Sequence, residues 1–212
     1  MVQLTYTGLL FARRASTGLR RSFLLSPPPF RVMTHRLHLL VEQLDRATEN
    51  ALAAAEALGP RAYVAPVPGQ WAAAQVIHHL LSVEQKIVDA LQKALTTKAD
   101  FWRLSTLKNK LRSLLLRLAL RLPGLKFKVP PTLPAPPAPE DIVPLPELRA
   151  QWQGIRRQLE LVLNEFPSNK LNYTVFRHPR AGWLTVGQTV TSILDHLLHH
   201  QRQLNRIVKV MK

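Results

Sequence analysis

Four stretches of this chain repeat apolar residues every three or four positions. That period favours helices that bury one face on a shared core. The first stretch covers about 34–58, where Leu37, Val41, Leu44, Ala51, Ala55 and Leu58 recur on one side. Glu42, Asp45 and Glu49 lie on the other, and Gly59-Pro60 ends the stretch. The second runs over about 71–97, after the turn signal Pro66-Val67-Pro68-Gly69. The third starts near Pro146, a favoured first-turn residue, presents Leu148, Trp152, Ile155 and Leu159, and stops before Pro167. The fourth starts at Thr185, which forms a capping-box pair with Gln188 three residues on. Val186, Val190, Ile193, Leu197, Leu204 and Ile207 make its apolar stripe. Only 8 glycines occur in 212 residues, which also favours helices over sheets. The expected fold class is all-α, a four-helix bundle.

A long connection separates the second and third helices. Leucines at 104, 107, 111, 115, 118 and 122 are interleaved with Arg103, Lys108, Lys110, Arg112, Arg117 and Arg121. This pattern predicts an extra basic amphipathic helix over 101–122 inside a crossover spanning 101–144. Pro123-Gly124 ends it, and eight prolines in 130–146 predict an extended, polyproline-like return. Such a crossover lets the third helix return without forming a hairpin with the second. Two readings of the basic helix are open. In the favoured one its leucines pack on the bundle and its cations are solvated. In the other it meets an anionic membrane surface or nucleic acid.

The net charge of +16 invites a nucleic-acid reading, but its distribution argues against one. Residues 1–33 hold five arginines and no acid, and residues 98–128 hold nine Lys or Arg against Asp100 alone. The rest of the chain is close to neutral, so no specific nucleic-acid surface is expected. Residues 1–32 read as a disordered basic leader of the targeting type, or as a stretch upstream of a natural start at Met33. The second reading is favoured because an amphipathic helix begins directly after Met33. The domain is therefore expected over 33–212. The chain has no cysteine, which excludes disulfides, Cys-based zinc sites and a cysteine nucleophile. No apolar run reaches 18 residues, so no transmembrane helix is expected, and the expected location is cytoplasmic.

Histidines carry the chemical signal. With Ile193 at the centre of the fourth helix's apolar arc, His196 and His200 fall within roughly 60° of it, while His199 falls outside. Burying two imidazoles one turn apart is costly unless their nitrogens are satisfied. The i, i+4 spacing also lets two rings converge on one metal. Alone, such a pair is more often two half-buried histidines bonded to neighbours or water. The second helix offers a third ring. His79 lies at the edge of its apolar arc, and His78 faces away. Three imidazoles would leave positions on a metal open, as catalytic sites do. They suit Zn, Ni, Fe or Cu.

Other polar residues near these arcs have two readings each. Glu84 lies inside the second helix's apolar arc, either as a proton-transfer group or acceptor for a ligand histidine, or as an ion-pair partner of Arg156 or Arg157. Gln203 follows His200 by one turn, either supporting that ring or edging the core. Trp71, Trp152 and Trp183 are expected as packing anchors. No Gly-rich phosphate loop, G-x-S-x-G, H-E-x-x-H or EF-hand pattern is present.

Trp71-Ala72-Ala73-Ala74-Gln75-Val76-Ile77-His78-His79-Leu80, followed by Glu84, resembles the second-helix signature of the DinB-like superfamily. His178-Pro179, Leu184-Thr185 and His196-x-x-x-His200-x-x-Gln203 resemble its fourth-helix signature. The resemblance covers about 34–98 and 145–210. It implies a four-helix bundle in which His79, His196 and His200 bind a divalent metal, often nickel or zinc, the same three residues the helical periodicity selects. Characterised members are thiol-dependent S-transferases and isomerases, bacillithiol and mycothiol transferases among them. Ala72 departs from the Ser or Thr usual after the Trp, which removes one capping oxygen. The basic insertion is also longer than the resemblance leads one to expect, and such a segment could cover the usual substrate mouth.

The expected function is a divalent-metal-dependent enzyme (Ni, Zn or Fe) of this type, acting with a low-molecular-weight thiol on a small electrophile. Glu84 and His178 are the candidate catalytic proton carriers. The alternative is a non-catalytic metal-binding bundle, or an interaction bundle acting through 101–122 on a membrane surface or nucleic acid. A homodimer is a further expected possibility for a bundle with exposed leucines.

Overall fold

The computed structural model describes residues 33–96, 103–122 and 135–211. The readings of the 1–32 leader, of Pro123-Gly124 and of the early part of the proline-rich return fall outside these residues. Five helices are described: α1 (His35–Glu56), α2 (Ala73–Thr96), α3 (Leu107–Arg121), α4 (Leu145–Glu165) and α5 (Val186–Met211). α1, α2, α4 and α5 are the four expected bundle helices, and α3 is the extra helix of the crossover. Their apolar stripes meet in one core, in which Leu44, Leu52, Ile77, Leu148, Trp152 and Leu197 are fully buried.

The crossover has a geometric consequence. Glu84 of α2 pairs with Arg156 of α4, and Gln92 further along α2 pairs with Gln158 further along α4. The two helices therefore advance in the same direction. Parallel neighbours cannot be joined by a short hairpin, so the long connection is required. Along the described part of the return, Ala138 and Pro144 hold extended backbone angles, with a single 3-10 turn at Pro139–Asp141 between them.

A small sheet was not foreseen. β1 (Arg103–Leu104), β2 (Tyr173–His178) and β3 (Gly182–Thr185) are antiparallel in the order β1-β2-β3. Gly182 sits at φ 75 where the β2–β3 hairpin turns, a conformation a side chain disfavours. The irregular register between Thr174 and Phe176 breaks the two-residue alternation that would have announced the strand.

The favoured reading of the basic helix is overturned. Leu107 is 82 % exposed, and Leu111, Leu114, Leu115, Leu118 and Leu122 are all exposed as well. Leu120, on the opposite side of the helix, is buried against the bundle. Contacts from α5 fix this orientation. Asp195 receives Arg121 at 3.0 Å and Arg117 at 3.5 Å. Arg202 donates to the terminal carbonyls of Leu120 and Arg121, both at 2.9 Å, satisfying groups that a helix end leaves open.

Candidate metal centre

α5 positions two of the three histidines. Its start is fixed by a reciprocal cap: the Thr185 N–H donates to Gln188 Oε1 at 3.0 Å, and the Gln188 N–H donates to Thr185 Oγ1 at 3.3 Å. Three turns further on, Nε2 of His196 and Nε2 of His200 lie 3.1 Å apart. His200 Nδ1 is 2.8 Å from Gln203 Oε1. An amide oxygen only accepts, so Nδ1 carries the proton and Nε2 of the neutral ring presents its lone pair toward His196.

α2 brings the third ring. Ala72 lacks a capping oxygen, but its N–H is taken by Gln75 Oε1 at 2.9 Å, so half of a capping box survives. Gln75 Nε2 also donates to the Pro137 carbonyl at 2.9 Å, tying the crossover to the head of α2. One turn on, His79 is 6 % exposed, its ring centroid 5.3 Å from His196 and 5.0 Å from His200. One ring nitrogen from each of His79, His196 and His200 lies within 4.8 Å of the other two. Trp71 closes one side, 5.1 Å from the His79 ring and stacked at 6.4 Å on that of His200.

Burial keeps all three rings uncharged. Desolvation, then the neighbouring His78, pushes His79 down to about 4. Desolvation, then His79, pushes His200 down to about 3. His196 is held well below the usual imidazole range by desolvation and by the other histidines around it. Three neutral imidazoles are the protonation state that metal ligands require. With bonds of about 2.1 Å, ligand nitrogens around a tetrahedral ion stand roughly 3.4 Å apart. The 3.1 Å between His196 and His200 is close to that spacing, and with the third nitrogen within 4.8 Å the three rings could hold a divalent ion once His79 closes on the pair.

The remaining candidates are placed differently. Glu84 is 1 % exposed and engaged elsewhere: Trp152 Nε1–H donates to it at 2.9 Å and Arg156 contacts both carboxylate oxygens at 3.0 Å. Arg156 also donates to Thr48 and pairs with Asp45, so Glu84 anchors a polar cluster joining α1, α2 and α4. No described contact joins it to the three histidines. His178, on β2, lies close enough to His196 to oppose its protonation. Its Nδ1 accepts from the backbone N–H groups of Arg180 and Ala181, each at 3.1 Å, so Nε2 carries the proton. Desolvation, then Arg180, pushes His178 down to about 4. Outside the bundle arc as expected, His199 nonetheless lies under α3, with Nδ1 3.4 Å from the Leu120 carbonyl. Of the three tryptophans expected to anchor packing, Trp152 is buried in the core, Trp71 packs partly buried against it while flanking the histidines, and Trp183 is 50 % exposed.

Fold and site together define a four-helix bundle with a three-histidine cluster that two of its helices turn to one point. The family model of the DinB superfamily matches residues 43–204, and the chain belongs to that superfamily. No curated protein and no solved structure matches it.

Proposed function

We propose that this protein is a divalent-metal-dependent enzyme that joins a low-molecular-weight thiol to a small electrophile, with His79, His196 and His200 as metal ligands. The observation that carries the reading is the convergence of one ring nitrogen from each histidine within 4.8 Å of the others, with Gln203 Oε1 placed to accept from His200 Nδ1 and leave Nε2 toward His196. A bound Ni, Zn or Fe ion would supply the Lewis acidity that makes a thiol ionise at neutral pH. The rest of the chemistry falls to the chain. Trp71 presents an aromatic wall beside His79 and His200, which limits water around the rings. His178 is locked with Nε2 protonated, so near neutral pH it serves as a hydrogen-bond donor to developing negative charge rather than as a base. Glu84 contributes stability, by fixing α2 on α4 through Arg156 and Trp152.

The test is thiol transfer to monochlorobimane with a panel of low-molecular-weight thiols, using protein loaded with Ni, Zn or Fe. Acceleration over the metal-stripped protein, lost in His200→Ala and kept in His199→Ala, supports the reading. If the loaded protein gives no acceleration with any thiol yet melts higher than the stripped protein, the metal serves stability alone.

A further inference from the structure

The geometry of α3 points to a second site: we infer that this helix docks the protein on an anionic lipid membrane. The inference is independent of the metal site. Leu107, Leu111, Leu114, Leu115 and Leu118 share one arc of α3, and all five are exposed. A surface helix of a monomer normally turns such an arc inward. Here ion pairs from Asp195 and the carbonyl contacts from Arg202 hold it outward. The bundle presents the arc to the outside instead of covering it.

The flanking charges select the occupant. Lys108 and Arg112 border the leucine arc on one side and Lys110 on the other, beside Arg117 and Arg121, which stay about half exposed while pairing with Asp195, and no Asp or Glu occurs from 103 to 122. An apolar arc between two rows of cations matches a bilayer interface, where leucines enter the acyl boundary and long basic side chains reach lipid phosphates. A second copy of the helix would set cation rows against cation rows, and Asp195 is already engaged by Arg117 and Arg121 of its own chain. Residues 1–32 are equally unsuited, having five arginines and no acid. Among the described residues no helix is long and apolar enough to cross a membrane, so the contact is with the surface. Trp183, half exposed on the neighbouring β3, is a residue type that favours the interface.

The test is flotation of the full-length protein with vesicles of phosphatidylcholine plus phosphatidylglycerol, beside vesicles of phosphatidylcholine alone. The triple variant Leu111→Ser, Leu115→Ser, Leu118→Ser removes exposed side chains only, and circular dichroism checks that it folds. Leu161→Ser, an exposed leucine on α4, is the control. Expected are binding to the anionic vesicles, loss by at least about tenfold in the triple variant, no loss in the control, and weakening at raised salt. Absence of binding by the folded wild type overturns the inference, as does binding that the triple variant retains. A concentration-dependent dimer in sedimentation, abolished by the triple variant and without vesicle binding, overturns it in favour of a second copy.

Discussion

Gln203 Oε1 lies 2.8 Å from Nδ1 of His200, and this contact decides which nitrogen of that ring is free. Without the amide oxygen the Nδ1–H tautomer loses its preference, and proton and lone pair exchange places at low cost. Gln203→Leu is therefore predicted to weaken metal affinity by about 10–100-fold while leaving the helical fold intact. Gln203→Glu, which still accepts from Nδ1, is predicted to retain or strengthen it. Competition against a chromophoric chelator measures both. Equal affinity in wild type and Gln203→Leu would remove Gln203 from the site.

Glu84 is predicted to matter for stability first. Glu84→Ala leaves the buried Arg156 facing Asp45 and Thr48 with its main counter-charge gone, a loss on the order of 3–5 kcal/mol. Urea unfolding reads that cost directly. At temperatures where the variant is folded, its metal content should equal that of wild type. A folded Glu84→Ala protein that has lost its metal would instead place the carboxylate in the histidine site.

Asp195 is 1 % exposed and holds two arginines of α3. Asp195→Ala is predicted to loosen α3 while the bundle core persists. Limited trypsin digestion should then cut within 107–121, at arginines and lysines that wild type protects. An unchanged digestion pattern would show that Arg202 and the buried Leu120 hold the helix without Asp195.

Acid should unfold the metal-free protein by way of its histidines. His79 and His200 titrate near 4 and 3 when folded, against 6.5 when exposed. Between these values the unfolded chain binds more protons than the folded one, so stability rises with pH there. It is complete above about 6.5 and is lost progressively as pH falls toward 4, by roughly several kcal/mol in total. Melting temperature followed from pH 8 to pH 4 in the presence of a chelator checks the direction. A melting temperature that rose on acidification would contradict the buried neutral trio.

Much of this was legible in the chain because bundles write themselves in period. The stripes of α1, α2, α4 and α5 match the sequence pattern, and the Thr185–Gln188 cap stands at the start of α5 as its residues indicate. His196 and His200 fall inside their arc, and His79 at the edge of its own is buried and beside them. Two features were not legible. The hairpin β2–β3 is short and bulged, so its alternation fails within a few residues. The orientation of α3 depends on Asp195 and Arg202, more than seventy positions away, and periodicity shows which residues share a face but not which way the face turns. The place of Glu84 in the apolar arc of α2 marks a buried carboxylate that needs a partner, and Arg156 and Trp152 on α4 are those partners.

Metal content by plasma mass spectrometry, on tag-free wild type beside His200→Ala, decides whether the three histidines hold an ion. About one equivalent of Ni, Zn or Fe is expected in wild type and little in the variant, both folded by circular dichroism. No metal in either protein, even after incubation with divalent ions, would contradict the metal assignment and leave the three histidines as a neutral buried cluster.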